Sequence, residues 1–158
     1  NHFEVLDLFL EYDDQYLFIE ARPVDALSVE IHPLEESVEA LKVLTRLFDE
    51  KIDTQLDVWR TRLARFKEDG KKVVVWGGGS KAVGFLTQFD GIGAVDHVVD
   101  INPHLLGNFI PGIGIQYVGP DCLENYRPDV VIVMNSIYIS EVRENLEARG
   151  LFPEVIGL

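Results

Sequence analysis

Lys72-Val73-Val74-Val75-Trp76-Gly77-Gly78-Gly79-Ser80-Lys81-Ala82 decides how this chain is read. Val73–Trp76 is apolar without alternation, the mark of a strand covered on both faces. Three glycines break the run, and Ala82–Phe89 resumes with helical spacing. A buried strand, a glycine turn and a helix open a β-α-β unit.

The reading extends outward from that unit. Ala94–Asp100 is a second strand and Gly114–Val118 a third. Asp121–Tyr126 is a short helix, with Asp121 placed to cap or to charge its first turn. Pro128–Asn135 is a buried strand, Ser140–Arg149 a helix ended by Gly150, and Glu154–Gly157 a last short strand. Strands so uniformly apolar need helices on both faces, and right-handed crossovers join them in parallel. The expected fold class is α/β: a Rossmann-like, doubly wound, mainly parallel sheet of about five strands.

Upstream, residues 3–10 and 16–22 are β-rich runs separated by turn-forming Tyr12-Asp13-Asp14-Gln15. They predict a hairpin, too apolar to stand alone in water. Residues 34–68 predict a helix. Leu34, Val38, Leu41, Leu44, Phe48, Ile52, Leu56, Trp59, Leu63 and Phe66 recur every three or four positions. Acidic residues near its start and basic ones near its end complement the dipole, and Gly70 closes it. A break near Asp53–Thr54 is the alternative to one long helix. Three pieces follow: 1–33 a hairpin, 34–69 a linker helix or helices, and 70–158 the sheet domain.

The whole chain has 158 residues, 47% of them hydrophobic, with 14 Lys+Arg against 27 Asp+Glu and a net charge of −13. A chain of this size can bury roughly 68–70% of its unfolded surface and needs no staple. The acidic balance excludes nucleic acid and anionic membranes as partners, since both require clustered Lys and Arg. No apolar run reaches the roughly 20 residues of a membrane helix. Cys122 stands alone, which fits a reducing cytoplasm and leaves no cysteine cage. His2, His32, His97 and His104 lack metal-ligand spacing, so no metal site is expected. Residues 1–33 carry one basic and eight acidic groups. The chain opens at Asn1 directly in a strand-like run, which reads as a piece of something longer.

Gly77, Gly79 and Ala82 fit the G-x-G-x-x-A pattern of a phosphate-binding turn, and Asp100 ends the next strand where a ribose hydroxyl partner would sit. Exposed amides and the helix dipole favour an anion at Gly78, Gly79, Ser80 and Lys81. A plain structural turn at the edge of such a sheet needs glycine as well. The Walker pattern fails because its four-residue spacer is missing. A nucleophile elbow at Ser80 fails because His97 and His104 follow too closely to complete a triad. By the rule for open α/β sheets, the segments after Asp100 and after Asn135 converge with the glycine turn on one crevice. Asp100, Asn102, Asn135 and Tyr138 are then its polar lining.

Residues 72–86 resemble the C-terminal domain of S-adenosylmethionine-dependent C-methyltransferases. So do Val99-Asp-Ile-Asn-Pro103, Gly107-Asn-Phe-Ile-Pro-Gly112, Pro128-Asp-Val-Val-Ile-Val-Met-Asn135, and Tyr138 with Glu141. The family includes enzymes that methylate a carbon of nucleotide-linked deoxysugars. The opening hairpin is similar to the last two strands of a class I methyltransferase domain. The resemblance implies a longer enzyme with a zinc-binding module, a central domain that binds S-adenosylmethionine, and this domain enclosing the acceptor. It implies no catalytic residue and no cofactor in this chain. It implies acceptor contacts at Gly78, Gly79, Ser80, Lys81, Asp100, Asn102, Asn135 and Tyr138, with a small molecule such as a nucleotide sugar as partner. One departure bears on the acceptor. Where the family usually has Lys-Gln-Gly-Arg-Phe, this chain has Leu105-Leu106-Gly107-Asn108-Phe109, and two cations are lost. Two other readings stay open: a dinucleotide sensor of NAD type using Gly77–Ala82 and Asp100, and a docking domain that binds nothing.

Overall fold

The fold was obtained as a computed structural model, which describes residues 2–26 and 32–158. Residues 27–31, part of the expected N-terminal piece, lie outside the described residues, as does Asn1. The chain divides into two compact units, Asn1–Ile52 and Asp53–Leu158.

In the first unit, β1 (Phe3–Glu11) and β2 (Tyr16–Pro23) form an antiparallel hairpin. Tyr12, Asp13 and Asp14 in its turn have φ of 55°, 56° and 59°, a conformation that Asp tolerates better than most residues. The register shifts between Val5 and Asp7, so Leu6 is the extra residue of a bulge. That one residue sorts the side chains. Phe3, Val5, Leu8 and Leu10 share one face with Pro23, Ala21, Ile19 and Leu17, although their spacing breaks strict alternation. The opposite face carries the Glu4–Arg22 ion pair and the stacked Phe9–Phe18 rings.

Helix α1 (Val38–Glu68) starts in the first unit and ends in the second. It begins four residues later than the apolar spacing predicts. The physical cause is Ser37, whose Oγ accepts from the Ala40 N–H at 3.1 Å as an N-cap. The helix passes Asp53–Thr54 without a break. Gly70, at φ +64°, ends it in a Schellman turn: Lys71 N–H donates to Phe66 O and Gly70 N–H to Lys67 O.

The second unit holds a parallel sheet of β3 (Val73–Trp76), β4 (Val95–Val99), β5 (Gln116–Val118), β6 (Val130–Val133) and β7 (Glu154–Gly157), in the order β5-β4-β3-β6-β7. Alternate residues of the buried strands feed two cores. Val73, Val75, Val98, Tyr117, Val130 and Ile132 pack with Trp59 and Leu63 of α1 and with Ala82, Phe85 and Leu86 of α2 (Ser80–Gln88). Val74, Val99, Val131 and Val133 pack with Leu123 of α3 (Cys122–Tyr126) and with Val142 and Leu146 of α4 (Ile139–Ala148). Helices therefore cover both faces, as strands without polar alternation require. The C-terminal half of α1 is thus part of this layer. Asp121 precedes α3 but makes no side-chain cap; its carboxylate instead meets Arg149 at 2.8 Å. A 3-10 turn, Ser136–Tyr138, leads into α4.

Candidate functional site at the carboxyl edge of the sheet

The strand order turns back on itself at β3: β4 lies on one side and β6 on the other. At such a switch point the chain leaves neighbouring strands in opposite directions and opens a crevice. The glycine turn stands at the end of β3, and Met134 and Asn135 at the end of β6. They lie close: a Cβ built on Gly77 would be 3.6 Å from Met134 Cβ. Gly77 has φ +100°, a conformation that suits glycine.

Gly78 is held from both sides. Its N–H donates to Asp100 Oδ2 at 2.6 Å, and its carbonyl accepts from the Tyr117 hydroxyl at 3.0 Å. A Cβ here would run into the Tyr117 ring and lie 2.9 Å from Asp100 Oδ2. Gly78 is required because the space is already filled. Tyr117 is buried, at 5% exposure, so its hydroxyl needs a partner, and the carbonyl supplies one. Burial, and then the nearby Asp100 carboxylate, raise the Tyr117 phenol above its usual pKa. It stays a neutral donor.

Asp100 has a second duty. Its Oδ1 accepts from the Asn102 N–H at 2.8 Å, and Asn102 Oδ1 accepts in turn from the His104 N–H at 3.0 Å. Asp100 and Asn102 thus shape the chain after β4. That loop folds back along β5, where the Gly107 N–H donates to Tyr117 O and the Tyr117 N–H to Asn108 O. Leu105 packs on the core, and Asn108 Nδ2 donates to His104 O at 2.9 Å. The positions that lack cations in the sequence therefore lie on the loop that runs along β5.

The other expected site residues lie at the surface or next to it. Gly79, Ser80 and Lys81 are exposed at the start of α2, where Gly79 is the N-cap with no side-chain cap bond. The first amides of a helix have no partner within it, so this end can donate outward. Lys81 joins none of the ion pairs found among the described residues. Asn135 is half-buried, its carbonyl accepting from the Tyr138 N–H at 3.0 Å, and the Tyr138 side chain is 46% exposed. The structure brings Gly78, Asp100 and Asn102 together in one bonded chain and sets Met134, the residue before Asn135, close to Gly77. Tyr117 was not singled out from the sequence. Only strand alternation around it could have hinted at an inward side chain, and nothing local names its partner 39 residues away.

Among the described residues no group of His, Cys, Asp and Glu is arranged to hold a metal ion. No helix among them is long and apolar enough to cross a membrane. The middle glycine of the turn is buried under the Tyr117 ring, and both of its backbone groups are taken.

A family model described as C-methyltransferase C-terminal domain matches residues 29–150, more than half of the chain. Comparison with curated proteins finds no match.

Proposed function

The chain belongs to the C-methyltransferase C-terminal domain family, and from that premise we propose that it is the acceptor-side domain of an S-adenosylmethionine-dependent C-methyltransferase. Its work is positioning. By closing over the acceptor it would hold the carbon in line with the methyl group, a form of catalysis worth several powers of ten without any reacting side chain. The donor supplies the methyl group, and it is bound elsewhere in the longer enzyme. The observation that supports this reading is the strand order, which reverses at β3 and so puts the glycine turn and the segment that follows β6 on neighbouring strand ends, with Gly78 closed under the Tyr117 ring. The strand order supports a Rossmann-like domain.

Gly79, Ser80, Lys81, Asn135 and Tyr138 contact the acceptor in this proposal, while Gly78, Asp100 and Asn102 hold the turn that presents them. The acceptor is a small molecule of the nucleotide-linked sugar type. The hairpin's apolar face supports docking against the methyl-donor domain of the same polypeptide, and the acidic composition supports a cytoplasmic protein with no nucleic-acid or membrane partner. A methyl-transfer assay with labelled donor tests the reading. The chain alone should be silent, and turnover by it would overturn the proposal. In the longer enzyme, Lys81→Ala and Tyr138→Phe should raise KM for the acceptor more than they lower kcat. The dinucleotide alternative would place a ribose on Asp100, whose two oxygens each already accept one backbone amide and keep further acceptor positions. A thermal shift with NAD would favour that alternative.

A further inference from the structure

The five-stranded sheet has two edges, and the chain treats them differently. The outer side of β5 is covered by the loop after Asp100: the Gly107 N–H donates to Tyr117 O, the Tyr117 N–H to Asn108 O, and Phe109 bridges to Gln116. On the outer side of β7 no strand or bridge follows among the described residues. The geometry points to β7 as the seat of a twofold interface, in which two copies of this chain pair edge to edge and join their sheets.

The Glu154 N–H donates to Asp129 O and the Leu158 N–H to Val133 O, so residues 154, 156 and 158 turn their backbone groups toward β6. Residues between them in a parallel ladder turn theirs the other way. Val155 and Gly157 thus present N–H and C=O outward, and Pro153 its C=O. Such a row is a template for another strand. An antiparallel copy with Val155 opposite its own counterpart makes a reciprocal pair of bonds there. A second pair runs from each Gly157 N–H to Pro153 O of the other copy. The N–H that Pro153 lacks leaves only the Gly157 carbonyls to water.

The side chains beside this edge suit a second copy better than a small ligand. Leu146, Leu151, Phe152 and Val155 line an open groove along β7, rimmed by Arg143 and Glu147. Its volume is about 160 Å³, below the roughly 300 Å³ at which small-molecule pockets begin. Arg143 and Glu147 stand one turn apart on α4 and join none of the ion pairs found among the described residues. A twofold axis normal to the sheet keeps both copies of α4 on one face and runs them antiparallel. Arg143 of each then lies toward Glu147 of the other, so the surface complements itself in charge. The same axis sets Phe152, 81% exposed, toward Leu158 of the second copy, which is exposed as well.

Sedimentation equilibrium of the full chain in about 0.15 M salt tests this. A species of twice the chain's 17.9 kDa should grow with concentration, and a monomer up to the millimolar range would overturn the inference. Arg143→Glu and Glu147→Arg should each weaken the dimer about tenfold, because two ion pairs turn from attraction to repulsion. Mixed in equal amounts, the two variants should dimerise with each other as the native chain does. Both residues are exposed, so neither change strains the fold. Ile19→Asp on the hairpin is the control and should leave the dimer intact. A dimer that ignores the charge reversals, or that Ile19→Asp abolishes, would overturn the assignment to β7. Amide exchange gives a separate reading: the Val155 and Gly157 N–H groups should exchange more slowly in the dimer, and exchange there that is the same in monomer and dimer would also overturn it. None of these measurements reads methyl transfer, so their outcome is independent of the proposed function.

Discussion

The Tyr117 hydroxyl donates to the Gly78 carbonyl at 3.0 Å, joining the strand β5 to the turn after β3. Between those strands lies β4, and Asp100, the residue after its end, grips the amide of the same glycine. One peptide unit on each side of Gly78 is thus fixed by a different strand. The turn is set by long-range packing as much as by its glycines.

Replacing Gly78 by Ala should destabilise the sheet unit by about 1–3 kcal/mol, since a methyl group would have to displace the Tyr117 ring or the Asp100 carboxylate. Gly79→Ala is the control. Nothing lies within 4 Å of a Cβ there, and φ is −73°, so the change should be near neutral. Thermal melts of the two variants check the contrast. Equal melting temperatures would show that the pinch on Gly78 is absent.

Tyr117→Phe keeps the ring and removes the donor. It leaves a buried carbonyl short of its partner, which costs about 1–3 kcal/mol. Urea unfolding should show a lower midpoint with an unchanged slope, because the surface exposed on unfolding stays the same. An unchanged midpoint would mean that water replaces the hydroxyl.

Alkaline pH should weaken the fold through two tyrosines. Tyr117 is raised above its ordinary value of 10.0 by burial and then by Asp100. Tyr126 is raised by burial, by its hydrogen bond to Asp96, and by the charges of Asp96, Asp129 and Cys122. A phenol that is harder to ionise when folded keeps its proton longer than in the unfolded chain. Its contribution is therefore complete below the unfolded value and is lost as pH climbs from there through the folded value. Stability should fall above about pH 10. Tyr126→Phe should flatten that fall while lowering stability at neutral pH, and denaturant midpoints at several pH values would show whether it does.

Ile19→Asp and Glu20→Lys place a charge on opposite faces of the hairpin. In this chain Ile19 is 63% exposed, so Ile19→Asp should change its melting temperature little. On the proposed docking of the apolar face in a longer enzyme, the same substitution should cost several degrees there, with Glu20→Lys milder. Equal effects of the two substitutions there would argue against docking through the Leu17–Ile19 face.

Most of the secondary structure was legible locally. Val73–Trp76 and Val130–Val133 announce buried strands because apolar runs without alternation have few other uses. The helix over 34–68 was legible from its spacing, but its start was not, since Ser37 competes with the apolar pattern as a cap. The two-faced character of the hairpin was hidden too. Read in strict alternation, Val5 and Leu8 belong to opposite faces, and only the bulge at Leu6 unites them. At the site, the glycine turn and Asp100 were singled out correctly as neighbours across the strand ends. Their bond was not foreseen, nor was Tyr117.

By itself the sequence determined the α/β class, the glycine turn and the segments that flank it, because hydrophobic periodicity and glycine's conformational range are properties of a few adjacent residues. Tertiary structure alone decided what the turn does with its amides. The Gly78 N–H could have faced solvent or Asp100, and its carbonyl could have met water or Tyr117; those outcomes depend on strands β4 and β5 arriving beside β3. Contacts between residues 22 and 39 positions apart leave no local pattern, since they are selected by the packing of the whole sheet.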